Sequence, residues 1–172
     1  ALATAGALDC FGLERREALW AAGFAESAEH LAGSTPAPAA PTLPGMSPEE
    51  LTLADLWATG TSPDGHPLAH LRDDLRRTGI RSVGDLATTE PGRRVHVAGL
   101  VTHRQRPGTA MGTTFLNLED ETGMLNVVCS IGVMKVHRQA ARNRVAVVVR
   151  GILERSEGVT NLIADRVVAL DT

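Results

Sequence analysis

The fold is decided by residues 93–129. Arg93-Arg-Val-His-Val-Ala-Gly-Leu-Val-Thr-His-Arg-Gln-Arg-Pro-Gly108 is followed by Thr114-Phe-Leu-Asn-Leu-Glu-Asp-Glu-Thr-Gly123 and Leu125-Asn-Val-Val-Cys129. The first run alternates, with Val95, Val97, Gly99 and Val101 on one face and His96, Ala98, Leu100 and Thr102 on the other. That is the two-residue period of a half-buried strand. Gly99 falls mid-strand, where a small barrel needs a sharp bend or bulge. Thr122-Gly123 predicts a hairpin between the second and third strands. Ile131 to Arg142 carries Val133, Val136 and Ala140 at helical spacing, and two more apolar runs follow, Val145–Leu153 and Leu162–Leu170. Five strands with one helix between the third and fourth is the order of an OB-fold, a small Greek-key barrel. The fold class is therefore α+β, with the barrel over 93–172.

Upstream of the barrel the reading is helical. Residues 1–32 hold a short turn flanked by Gly6 and Gly12, then a helix over 13–29 with Leu19, Trp20, Gly23 and Phe24 on one side. This is either the end of a helix-hairpin-helix element or a plain helical packing unit. Gly33-Ser-Thr-Pro-Ala-Pro-Ala-Ala-Pro-Thr-Leu-Pro-Gly-Met46 reads as a linker, because its prolines favour extended chain with no core of its own. Residues 47–92 form a helical block expected to pack on the barrel. Ser47-Pro-Glu-Glu50 is a helix start with a capping box. Leu53, Leu56 and Trp57 make the expected buried stripe, and Gly60 the stop. His66-Pro67 opens a second helix with Leu68, Leu71 and Leu75 inside, closed by Gly79, and Ser82–Leu86 forms a third turn.

Composition narrows the function. The chain has 172 residues and a net charge of −3, unevenly distributed. Residues 1–92 hold 6 Arg against 13 acids, whereas residues 93–172 hold 10 Arg and 1 Lys against 7 acids. A barrel half of +4 beside an acidic half of −7 favours a polyanionic ligand on the barrel. Cys10 and Cys129 lie in unrelated elements, which suits a reducing, cytoplasmic setting and excludes a disulfide framework. No apolar run approaches the length of a membrane span, and no signal peptide is visible. The chain begins at Ala1 without Met, so a fragment of a longer protein is expected.

Candidate chemistry is sparse. Glu119-Asp120-Glu121 is either a magnesium site or a solvated hairpin end; adjacent strand residues point to opposite faces and do not converge. His66, His70 and Asp74 share a helix face at i, i+4 and i+8, which is either a metal-holding pair or His66 solvated at the helix start with His70 paired to Asp74; no third ligand type is evident. Cys129 ends an apolar strand and reads as a small core residue rather than a nucleophile. No phosphate-binding glycine loop and no catalytic constellation is found, and no cofactor is expected in this chain. The binding candidates are His103, Arg104, Gln105 and Arg106 at the strand 1–2 corner, where two Arg can fork phosphates or stack on bases. Phe115 is either a stacking platform or core. Lys135 and Arg138, with Arg142, either extend a basic stripe or form a solvated helix face.

These residues also carry a resemblance. Val97–Ala110, Phe115–Gly123 and Asn126–Val128 resemble the OB region of bacterial C-family DNA polymerases, that is, the polymerase III alpha subunits and their error-prone paralogues. Ala5-Gly-Ala-Leu-Asp9 with Arg15-Arg16 and Leu19-Trp20 resembles the end of that family's helix-hairpin-helix element. Thr59-Gly-Thr-Ser62 with His66-Pro67 and Leu71-Arg72 resembles the segment between. Arg104–Ala110 and Leu162-Ile-Ala164 point to the error-prone branch.

The resemblance implies a non-catalytic C-terminal region of a nucleotidyltransferase that works in damage-induced mutagenesis and translesion synthesis. The catalytic aspartates, and the magnesium they would hold, belong to a palm domain with no counterpart here. Met111 stands where family members often carry a basic residue, and there is no Gln-initiated clamp-binding peptide. The implied partners are single-stranded DNA, accessory mutagenesis proteins including an inactive Y-family-like polymerase, and through them the sliding clamp. A recruitment module, or a free-standing OB-domain protein that binds RNA, are the alternative readings.

Overall fold

The computed structural model describes residues 1–25, 40–156 and 158–170. Residues 26–29 of the expected first helix, residues 33–39 of the expected linker and the side chain of Phe24 lie outside the described residues. The chain divides into two compact units, Ala1–Pro67 and Leu68–Thr172. The expected block 47–92 is thus shared out: its first helix belongs to the first unit, its second helix and third turn to the barrel unit.

The first unit holds α1 (Arg15–Ala25) and α2 (Pro48–Thr59). Ser47 caps α2 as expected: its hydroxyl accepts from Glu50 N–H at 3.2 Å, and Glu50 Oε2 accepts from Ser47 N–H at 2.8 Å. Gly60 ends the helix in the left-handed conformation, φ 78°. The expected buried stripe is wrong. Leu53 is 60% exposed and Trp57 80% exposed, Leu56 is half-buried, and the buried positions are Thr52 and Asp55. The cause is ionic. Arg15 Nη1 donates to Asp55 Oδ1 at 2.8 Å and to Thr4 O, and the Thr52 hydroxyl bonds Pro48 O. The bond to Asp55 raises the Arg15 pKa above its ordinary value. Once enclosed, neither charge can leave without stranding the other, so the pair holds the polar side of α2 inward. In α1 the enclosed position is Ala18, while Leu19 and Trp20 are about two-fifths exposed.

The second unit is a closed five-stranded barrel, the OB-fold. Its strands are β1 (Arg94–Gln105), β2 (Thr114–Asp120), β3 (Gly123–Cys129), β4 (Ala146–Ser156) and β5 (Val159–Ala169). They close in the order β1-β2-β3-β5-β4. All pairings are antiparallel except β3 with β5. Alternation fills the barrel: Val95, Val97, Leu116, Leu118, Val127, Val147, Val149 and Leu162 all point in and are essentially inaccessible. Each such side chain contributes about 1.5–3 kcal/mol of transfer free energy. Gly99 faces Leu118, where an added Cβ would sit 2.8 Å from the Leu118 Cβ. Its role is close approach of β2. The bulge in β1 falls later, between Val101 and His103.

The plug between β3 and β4 is two short helices, α4 (Ile131–Val136) and α5 (Arg138–Asn143), broken at His137. Ala140 and Ala141 close the barrel end, but Val136, expected to face inward, is exposed. The break at His137 resets the helical phase, so a single 3.6-residue count does not run through 131–142. Helix α3 (Pro67–Arg77) covers the outer face of β1 and β4: Leu68 and Leu75 pack with Ala98, Leu71, Ile80 and Val148. Among the described residues no helix is long and apolar enough to cross a membrane.

One ionic cluster fastens α3 to the barrel. Arg72 is buried, and its Nη2 donates to Asp120 Oδ2 at 3.1 Å and to Glu121 Oε2 at 2.8 Å. Its Nε donates to Glu121 Oε1. Asp120 Oδ2 also accepts from Val83 N–H at 2.8 Å, and Oδ1 from Thr122 N–H and its hydroxyl. The acidic run 119–121 is therefore not a solvated hairpin end: four donors from three segments converge on one enclosed carboxylate. Removing one partner of such a cluster strands the others without water. Asp120→Ala is expected to cost about 3–5 kcal/mol of unfolding free energy in urea titration. A loss below about 1 kcal/mol would show that the cluster is dispensable.

Candidate nucleic-acid interface

The β1–β2 corner separates the two arginines that the sequence pairs. Arg104 is still in β1, and its side chain turns toward α5. Its Nε donates to Ala141 O at 2.9 Å and its Nη2 to Arg144 O. These carbonyls end α5 and have no helical donor, so Arg104 acts as their cap. Arg106, two residues on, lies beyond the end of β1 and lines a cleft instead.

Arg106 meets Lys135 of α4 and Arg138 and Arg142 of α5 around a cleft of about 290 Å³. Gly112, Thr114, Ile131 and Met134 complete the lining. Arg138 and Arg142 share one face of α5 at i and i+4, and Lys135 of α4 meets them across the His137 break. Among the described residues the lining contains no carboxylate. Four cations around one concavity repel one another unless an anion enters, and low-dielectric walls strengthen that field. Of the expected residues, Arg106, Lys135 and Arg138 are brought together here, with Arg142 alongside.

His103, Gln105 and Phe115 lie instead on the outer strand face. In β2, Thr114, Leu116, Leu118 and Asp120 are buried, whereas Phe115, Asn117 and Glu119 are half-buried on the outer side. Pairing register lays out two rows. One runs Gln105–Phe115–Val128–Ile163, the next His103–Asn117–Asn126–Asn161. The first is largely apolar, with a ring that a base can stack on; the second is a line of amides and one imidazole that can hydrogen-bond base edges. His103 Nδ1 lies 3.2 Å from the Thr102 hydroxyl. The Asn row escapes sequence reading, because it depends on the parallel pairing of β3 with β5, which local patterns do not reveal.

The remaining candidates take structural places. Cys129 is wholly buried, and burial pushes its thiol up to about 11, so it is no nucleophile at neutral pH. Asp74 pairs with Arg77. Among the described residues no group of three His, Cys, Asp or Glu side chains could hold a metal ion.

No protein-family model matches the chain. Among solved structures, it is similar to an asparaginyl-tRNA synthetase from Pyrococcus horikoshii, with a TM-score of 0.45 and 21% identity over 54% of this chain and 23% of that one. It is also similar to the hypothetical protein ygiW from E. coli, with a TM-score of 0.40 and 12% identity over 52% of this chain and 87% of that one. Sequence relatives are far nearer. The chain is 53% identical over 168 residues to a protein of Mycolicibacterium paratuberculosis, covering 96% of this chain and 15% of that protein. It is 47% identical over 174 residues to one of Corynebacterium glutamicum, covering 99% of this chain and 16% of that protein. Both are named error-prone DNA polymerase. The chain spans only about 15% of the length of such relatives, and along nearly its whole sequence it is a homologue of that region of the error-prone DNA polymerases.

Proposed function

We propose that this barrel contacts single-stranded template DNA as a non-catalytic, C-terminal region of an error-prone polymerase that serves translesion synthesis. The observation that supports it best is the cleft of Arg106, Lys135, Arg138 and Arg142, four cations with no carboxylate among them. The outer rows continue the surface with one phenyl ring, one imidazole and four amides, a sparse platform suited to contact without sequence readout. The strand's phosphates sit in the cleft and its bases lie toward Phe115. Arg104 positions α5, and through it Arg138 and Arg142. The nucleotidyl transfer and its magnesium belong to a part of the polymerase outside this chain. With a single Phe on the barrel face, stacking contributes on the order of 1–3 kcal/mol at one base, so binding is weak and salt-sensitive.

A second reading rests on a different observation. Leu53 and Trp57, at i and i+4, form an exposed apolar patch on α2 in the first unit. Such a patch fits docking of an accessory mutagenesis protein, the Y-family-like polymerase among them, which would bring the chain to the clamp. Both readings can hold in one polymerase. A free-standing RNA-binding role has no observation of its own to favour it.

Fluorescence anisotropy with a labelled oligothymidylate tests the first reading. The wild-type log affinity should fall linearly with log salt. Arg138→Ala with Arg142→Ala should reduce the magnitude of that slope by about 1.4, some 0.7 per lost phosphate contact. An unchanged slope removes the cleft from the binding surface. For the second reading, Trp57→Ala should weaken binding of the purified Y-family-like partner at least tenfold, about 1.4 kcal/mol, in titration calorimetry. Equal affinity of variant and wild type would rule the patch out.

A further inference from the structure

A second set of cations lies on another wall of the barrel, and the strand register builds it. His96 of β1 pairs with Arg150 of β4, and Arg150 pairs with Arg166 of β5. The three residues form one outward row, with neighbouring strands about 4.8 Å apart. The register then shifts: Gly151 pairs with Ala164, leaving Asp165 as the extra residue of a bulge. A bulge sets two successive side chains toward the same side. Here Asp165 and Arg166 both face out, while Ala164 and Val167 point into the core. Gly151 permits the bulge, since an added Cβ would lie 2.4 Å from Ile163 O.

Charge is left over in this row. Asp165 pairs with Arg150 at 2.5 Å and with Arg94 at 2.9 Å, and both cations hold its carboxyl below its ordinary range. It is the one carboxylate paired with this group among the described residues, against Arg94, Arg150 and Arg166. Arg166 faces Arg150 directly, a like-charge pairing that destabilises a sheet, and the one carboxylate, shared by Arg150 and Arg94, does not balance three cations. His96, Val148, Arg150, Arg166 and Val168 line a concavity of about 100 Å³, large enough for a phosphate-sized group.

We propose that the His96–Arg150–Arg166 row is a second phosphate-binding site, which holds the nucleic-acid backbone where it continues past the Arg106 cleft. The proposal rests on the reading above only for the class of ligand. The two sites share no residue. A strand that occupies both must therefore exceed the footprint of one barrel face, which makes the second site visible through oligonucleotide length.

The test compares oligothymidylates of about 8 and about 30 nucleotides, the shorter within a single barrel's footprint. Arg166→Ala should bind the short strand as the wild type does. On the long strand it should lose at least about threefold in affinity, with the salt slope shallower by about 0.7. Arg77→Ala, which removes an equal charge from the exposed side of α3, should change neither. The His96 ring resonances should shift on addition of the long strand and not the short one, a readout that needs no variant. Equal affinities of Arg166→Ala and wild type for the long strand, an equal loss on both strands, or a still His96 would overturn the second site. Failure of the cleft shows separately, as short-strand binding that survives Arg138→Ala with Arg142→Ala. A wild-type chain that binds neither strand overturns both.

Discussion

The barrel unit depends on the enclosure of Arg72 between Asp120 and Glu121. Asp120 is the last residue of β2, and its carboxylate gathers the hairpin residue Thr122, the Val83 N–H just ahead of a 3-10 turn over Gly84–Thr88, and the α3 guanidinium. Those segments are distant in sequence, and apolar contact alone would let α3 slide along the β1–β4 face. Leu68, Leu71 and Leu75 supply the adhesion there. The ionic cluster supplies the register, because a buried guanidinium accepts few positions without stranding a charge. The Glu121 bond raises the Arg72 pKa above its ordinary value, so the cation persists at every accessible pH. Placing α3 also fixes which part of the outer barrel surface is covered, and so which strand faces stay open.

The barrel was legible in the sequence because its signals are local. Val95 to Thr102 alternates, Thr122-Gly123 turns, and the five runs come in OB order; the closed barrel follows these boundaries to within a few residues. The misreadings share one physical source. Hydrophobic periodicity assumes that the apolar side of a helix faces in. In α2 the enclosed side is Thr52 and Asp55, held by Arg15, and Leu53 and Trp57 face out. The run 119–121 reads as a solvated end by composition alone, because its partner Arg72 lies nearly 50 residues earlier and shows only in three dimensions. Long-range ion pairs leave no periodic trace.

The same limit divides the candidate site. His103-Arg104-Gln105-Arg106 reads as one cationic corner, but the strand pleat sends His103 and Gln105 to the face opposite Arg104, and Arg106 lies beyond the end of β1, in the loop. Arg104 therefore meets the carbonyls of Ala141 and Arg144, while Arg106 meets Lys135 and Arg138. Which of them faces an open cleft was set by β1 register and by the helix break at His137, and neither is written in local spacing. The Asn117–Asn126–Asn161 row belongs to the same class of feature.

The arginines of the barrel unit sort by how their charge is met. Arg72 has Asp120 and Glu121; Arg94 and Arg150 share Asp165; Arg104 and Arg155 cap carbonyls at Ala141, Arg144 and Leu86. Each of these has a partner within the fold, although Arg94 and Arg150 share a single carboxylate. Arg106, Lys135, Arg138 and Arg142 differ, for the wall they share offers no anion. Convergent charges of one sign lower the stability of the folded chain through mutual repulsion. A fold able to pair Arg72, Arg94 and Arg150 with carboxylates is not short of acids. Leaving four cations unmet around a single concavity is thus a cost the folded chain carries alone, and a phosphate backbone is the kind of partner that removes it.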